Sequence, residues 1–177
     1  MDDRSLRKRI SAYKTFMGQY YDKAVAQKLL PLGFFTAPAS TIHNAYEGGL
    51  CDHSIDMAKV LMQLTKDNHL KWAADRSPLF IGIFHGLWKM DAYLPKEDGS
   101  GYRWNPDQES GQGERSILIC ERDLGILLTE EEKLCIRWYA GAFTKINEWP
   151  GLVKAMQQNA NVAWTAHADV LATHTKK

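Results

Sequence analysis

An all-α fold, with a short hairpin or extended loop near residues 93–104 as its exception, is what this sequence predicts. Apolar residues recur at helical spacing through most of the chain, helix boundary signals fall between the periodic segments, and only one stretch has a different pattern. A length of 177 residues fits one domain, 1–177, with enough chain to enclose a core. No internal repeat, low-complexity tract or linker divides it.

The first periodic segment runs from about Ser5 to Leu29 and ends before Pro31. A second covers about Leu50 to Thr65, with Leu50, Met57, Val60, Leu61 and Leu64 on one face. The third spans about Leu70 to Lys89, with a break expected at Ser77-Pro78, because proline cannot continue a helix interior. A fourth covers about Glu114 to Leu124. The fifth opens on Thr129 and Glu132, three residues apart, which is a capping box, and is expected to reach Ala142. Segments near Leu152–Gln157 and Val162–Thr173 finish the chain. Between Tyr93 and Trp104, the acidic and glycine-containing run Lys96-Glu97-Asp98-Gly99-Ser100-Gly101 sits between aromatic flanks and suggests the hairpin.

Charge is nearly balanced, with 22 Lys plus Arg against 21 Asp plus Glu. That leaves no broad electrostatic case for nucleic acid or an anionic membrane. The basic cluster Arg4, Arg7, Lys8 and Arg9 sits beside Asp2 and Asp3 and reads as a solvated helix start. It leads into Ser11, Tyr13 and Lys14 rather than an apolar segment, so no secretory signal is expected. The longest apolar run, residues 79–84, is too short to cross a bilayer. Cys51, Cys120 and Cys135 are scattered and read as reduced core residues, which gives a cytoplasmic expectation.

Three stretches occur in a suggestive order. Phe34-Phe35-Thr36-Ala37-Pro38-Ala39-Ser40 is followed by His43-Asn44-Ala45-Tyr46-Glu47-Gly48-Gly49-Leu50 and Asp52-His53-Ser54. Phe84-His85-Gly86-Leu87-Trp88-Lys89-Met90-Asp91-Ala92-Tyr93 comes next, and His167-Ala168-Asp169-Val170-Leu171-Ala172-Thr173 closes the set. Gly111-Gln112-Gly113-Glu114-Arg115-Ser116 adds a weaker piece. Together these resemble the HD-domain superfamily, especially its compact phage and bacterial phosphohydrolases, over about Phe34 to Thr173.

The resemblance implies an HD helical bundle in which His53, His85 and Asp169 are candidate metal ligands for a divalent Mn, Fe, Zn or Mg ion. It also places Lys89 near a substrate phosphate. Imidazole and carboxylate donors hold such ions, and open positions admit water and phosphate. The chain departs from the pattern at three places. Gly86 stands where the family has the aspartate of its His-Asp pair, Gln112 where many relatives have a histidine, and Tyr139 where a histidine follows the tryptophan matched by Trp138. None replaces an imidazole or carboxylate, so no tightly bound cofactor is expected.

The residues have plainer readings too. A histidine on an apolar face such as that of Met57, Val60 and Leu64 is usually a hydrogen-bonded core residue, and Lys89 alone would read as a surface lysine. Lys89 follows His85 by four residues, so on a helix the two would face one ligand. A carboxylate on the apolar face of Asp169 needs a partner. Gly48 and Gly49 suit either a pocket mouth or a tight helix start. Arg115 suits phosphate or a helix-surface pair with Glu114; Trp88 and Trp104 suit base stacking or core. His69, His167 and His174 have no nameable partner.

The first functional reading is a protein that binds a nucleotide or other small phosphorylated ligand at His43, His53, His85, Lys89 and Asp169 without ordinary metal-dependent hydrolysis, with sequestration as a role. A phosphohydrolase or phosphodiesterase with an altered, single-metal site is the second. A structural or assembly subunit with a vestigial pocket is the third. HD relatives self-associate, so a homo-oligomer is expected; no membrane or nucleic-acid partner is.

Overall fold

The computed structural model describes residues 3–108 and 111–174. Eight α-helices and one two-stranded hairpin account for most of them: α1 (Asp3–Met17), α2 (Lys23–Leu29), α3 (Gly49–Asp67), α4 (Ser77–Phe84), β1 (Tyr93–Pro95), β2 (Tyr102–Trp104), α5 (Gln112–Leu118), α6 (Glu130–Trp138), α7 (Trp149–Gln158) and α8 (Asn161–His174). No helix among the described residues is long and apolar enough to cross a membrane.

The single N-terminal helix expected over Ser5–Leu29 is two helices. Gly18 takes φ +53°, a short 3-10 turn follows, and the Asp22 carboxylate caps α2 by accepting from the Ala24 and Val25 amides. The third expected segment is also shorter. Its helix begins where a break was expected, at Ser77-Pro78, because proline is well suited to a first turn. It ends at Phe84, and the chain tightens into a 3-10 turn over Leu87–Asp91. The fourth keeps its span but changes pitch, passing from α5 into a π-helical stretch over Ile119–Leu124. The fifth has the capping box, with Thr129 Oγ1 accepting from the Glu132 amide and Glu132 accepting from the Thr129 amide, but α6 stops at Trp138. The hairpin forms antiparallel, with Tyr93 opposite Trp104.

Helix α3 is the centre of the bundle, with α4 and α8 packed against it. Its start depends on Gly48, whose φ of +88° is left-handed and favours glycine. Gly82 on α4 has a steric role: a Cβ there would overlap the backbone of Ala58 on α3. α8 buries mostly small residues, Ala166, Ala168 and Ala172 among them, so it also lies close. The core around this trio includes Leu50, Met57, Leu61, Ile81, Ile83 and Leu87, all fully buried.

Candidate functional site

These close helix contacts bring together residues that are far apart in sequence. α3 supplies His53, the end of α4 supplies His85, and α8 supplies Asp169. Asp169 Oδ1 lies 3.1 Å from His53 Nε2 and 3.5 Å from His85 Nε2. One donor atom from each of the three lies within 4.8 Å of the others. His53 and His85 are 1% and 0% exposed, while the Asp169 side chain keeps 17%.

Hydrogen bonding fixes the roles of the ring atoms. His85 Nδ1 lies 2.8 Å from the Gly82 carbonyl, which only accepts, so Nδ1 carries a proton. In the neutral ring the Nε2 lone pair then points toward the Asp169 carboxylate, an arrangement that a proton or cation between them relieves. Burial pushes the His53 imidazole down to about 4, even though its bond to Asp169 acts the other way. Burial would raise the Asp169 carboxyl. The hydrogen bond from His53, with His85 and Lys89 nearby, outweighs it and holds the group well below the usual carboxylate range. Near neutrality the pair is therefore a carboxylate and a neutral His53, whose Nε2–H donates.

Two further residues face this group. His43, in the loop before α3, places Nδ1 3.1 Å from Ser40 Oγ and its ring 5.5 Å from that of His53. Burial and then the charge of Lys89 lower its pKa. Lys89 is only 6% exposed, its Nζ 5.7 Å from the Trp88 ring and 6.0 Å from the Tyr139 ring. Among the described residues its ammonium has no hydrogen bond or ion pair. Burial lowers its pKa, and Asp169 partly opposes this. The one-turn helical relation of His85 and Lys89 does not hold, because α4 ends at Phe84, before both; the 3-10 turn over Leu87–Asp91 brings Lys89 to the group instead.

The group is under-bonded. Of six enclosed side-chain polar atoms without a partner among the described residues, three are His43 Nε2, His53 Nδ1 and His85 Nε2. Buried polar atoms are nearly always satisfied, so such a concentration marks a place shaped for something else. The donors His53, His85 and Asp169 fit a single divalent cation in chemistry and convergence. The other three positions add no ligand. Gly86 has no side chain, and a Cβ there would lie 3.3 Å from Leu50 Cδ1. Tyr139 Oη accepts from Trp88 Nε1 at 2.7 Å while its ring packs 4.7 Å from that of His85. Gln112 opens α5 at the wall of a neighbouring cavity.

Sequence reasoning missed the residue that shapes the turn. Ser116, fully buried on α5, donates to the His85 carbonyl at 2.7 Å and accepts from the Trp88 amide at 3.1 Å. It satisfies backbone groups released where α4 ends and so fixes the relation of His85 to Lys89. The motif Gly-x-Gly-Glu-Arg-Ser contained it, but serine in a helix gives no signal of its own. Arg115 grips Asp91 with two bonds, 2.7 and 2.5 Å, which anchors the same turn. Glu114 pairs with Arg137 rather than Arg115. Gly48 and Gly49 serve the start of α3. Trp88 is core, whereas Trp104 is 47% exposed. His69 and His167 stand apart from the group, and His174 acts on His43 only through charge.

No family model, curated protein or solved structure matches this chain.

Proposed function

We propose that this chain is a degenerate HD-like protein that captures a nucleotide or related small phosphorylated ligand without ordinary metal-dependent hydrolysis. The observation that carries the reading is Lys89: a lysine only 6% exposed, with no hydrogen bond or ion pair among the described residues, beside enclosed histidine nitrogens that lack partners among them. A buried cation of this kind is costly unless an anion completes it. Phosphate oxygens at Lys89 would supply that charge. The bare Nδ1 of His53 is an acceptor and the bare Nε2 of His43 accepts or donates according to its tautomer, and both suit a P–OH or a sugar hydroxyl. Asp169 disfavours a fully ionised phosphate beside it and favours a ligand that presents a hydroxyl there. Absent ligands at Gly86, Gln112 and Tyr139 argue against two-metal chemistry.

A second reading rests on the convergence of His53, His85 and Asp169, which would hold one divalent ion in a single-metal phosphohydrolase. Such an ion would acidify water and polarise a phosphoryl oxygen. Elemental analysis after dialysis, with turnover of a nucleotide panel in added manganese, separates the two. Near one metal per chain with turnover favours hydrolysis; little metal and no turnover favours capture.

Calorimetry with mono-, di- and cyclic nucleotides tests capture itself. A charge-assisted hydrogen bond contributes about 1.5–3 kcal/mol, so Lys89→Ala is expected to weaken binding roughly ten- to a hundredfold. If no nucleotide binds, or if Lys89→Ala binds as wild type does, the structural or assembly-subunit reading takes its place.

A further inference from the structure

A cavity of about 240 Å³ opens on the outer side of Tyr139, between the hairpin, the start of α5 and the end of α6. Three aromatic rings contribute to its wall: Trp104, Tyr139 and Phe143. Trp104 is 47% and Phe143 74% exposed, so both present ring surface to solvent. Amides come from Gln108 and Gln112. The Gln108 side chain is held in place because Nε2 donates to the Trp88 carbonyl at 2.7 Å and to Asp91 at 3.2 Å, and its Oε1 has no donor among the described residues.

The electrostatics differ from those at Lys89. Arg137 at the cavity wall is already bound by Glu114 and Glu148, the latter at 2.6 Å. With Lys145 the lining carries two cations against two carboxylates, so it has no net attraction for an anion. Flat rings, amide groups and cancelled charge suit a neutral, planar, heteroaromatic group.

Tyr139 connects the two places. It lines the cavity, packs 4.7 Å from the His85 ring and lies 6.0 Å from Lys89 Nζ. Trp88, which hydrogen-bonds Tyr139, also lies beside both Lys89 and Trp104. Tyr139 thus borders both Lys89 and the cavity, with Trp88 hydrogen-bonded beside it. Building on the capture reading, we infer that this cavity is a nucleobase subsite, with Trp104 as its stacking surface. The ligand class narrows accordingly to nucleotides, as against phosphosugars or free phosphate.

The test is calorimetry of the full chain with the four nucleoside 5′-monophosphates, ribose 5-phosphate and inorganic phosphate. At least one nucleotide is expected to bind roughly tenfold or more tightly than ribose 5-phosphate, the scale of one base–aromatic stack. Trp104→Ala should remove that preference and leave ribose 5-phosphate binding unchanged, while Trp104→Phe, which keeps a ring, should retain most of it. Lys89→Ala should weaken both ligand types together. Equal binding of nucleotides and ribose 5-phosphate, or a Trp104→Ala loss shared by both, overturns the subsite and leaves phosphate capture standing. Binding of no phosphorylated compound overturns both.

Discussion

Glu132 and Asp169 are both helical carboxylates set against the core, and their surroundings differ sharply. Glu132, fully buried on α6, receives Arg76 Nε and Nη2 at 3.3 Å each, Ser77 Oγ at 3.0 Å and the Thr129 amide at 2.8 Å. Among the described residues, no enclosed side-chain atom of its partners lacks a hydrogen bond. Asp169 has two imidazoles, and three ring nitrogens nearby lack hydrogen-bond partners among the described residues. Burial of a carboxylate is thus common to a structural joint and a candidate site. What separates them is whether the protein completes the network by itself, since a satisfied network rigidifies and an unsatisfied one is costly to maintain.

The sharpest way to break this comparison is to remove each carboxylate. Glu132→Ala strands Arg76 and Ser77 and uncaps α6, and breaking a buried pair from one side typically costs about 3–5 kcal/mol. Asp169→Asn keeps the volume and is expected to cost about 1.5 kcal/mol or less, because its hydrogen-bonded partner His53 is neutral and the group is already under-bonded. Urea melts of both variants measure the difference. Equal losses would mean that Asp169 is as structural as Glu132.

Acid sharpens the contrast from the other side. The folded-state pKa of His53 lies near 4 against an ordinary 6.5, so between these values the unfolded chain binds more protons than the folded one. Stability attached to His53 is therefore fully present above pH 6.5 and falls as pH drops toward 4, by about 3 kcal/mol in all. The depressed Asp169 carboxyl adds a loss in the same direction at still lower pH. Melting midpoints taken from pH 7 to 4 should fall in wild type, with a shallower slope in His53→Asn. A wild-type slope unchanged by that substitution would assign the acid sensitivity to another group.

Much of this was legible in the chain itself. The capping box at Thr129 and Glu132 announced α6, because its chemistry is local, and the glycine-containing run before Trp104 announced the hairpin. His53, His85 and Asp169 were selected by resemblance and do converge. Their convergence depends on Gly82 meeting Ala58 and on the small face of α8, which are long-range packing facts that periodicity does not carry. Ser116 and the outward cavity were not legible for the same reason. The end of α4 at Phe84 was missed because 85–89 has acceptable helical residues; Ser116, from another helix, stabilises the tighter turn. Glu132 was read only as a cap, since nothing local indicates that Arg76 would reach it.

The smallest expected effect runs opposite to the usual one. Lys89→Met replaces a buried ammonium that has no hydrogen bond or ion pair among the described residues by an apolar side chain of similar length, still packed on Trp88 and Tyr139. Removing a desolvated charge whose partner is not in contact should raise stability near neutral pH by about 1 kcal/mol, while the binding assay loses its phosphate ligand. The sign of the pH dependence follows from the lowered pKa of Lys89. From its folded-state pKa up to the ordinary 10.5, the unfolded chain holds the extra proton, so wild-type stability rises with pH and the advantage of Met shrinks. Thermal melts of the two proteins at pH 7 and pH 10 measure both quantities. A Lys89→Met protein less stable than wild type at pH 7 would make Lys89 a structural cation like Arg76, and the contrast between the Glu132 joint and the Asp169 site would collapse.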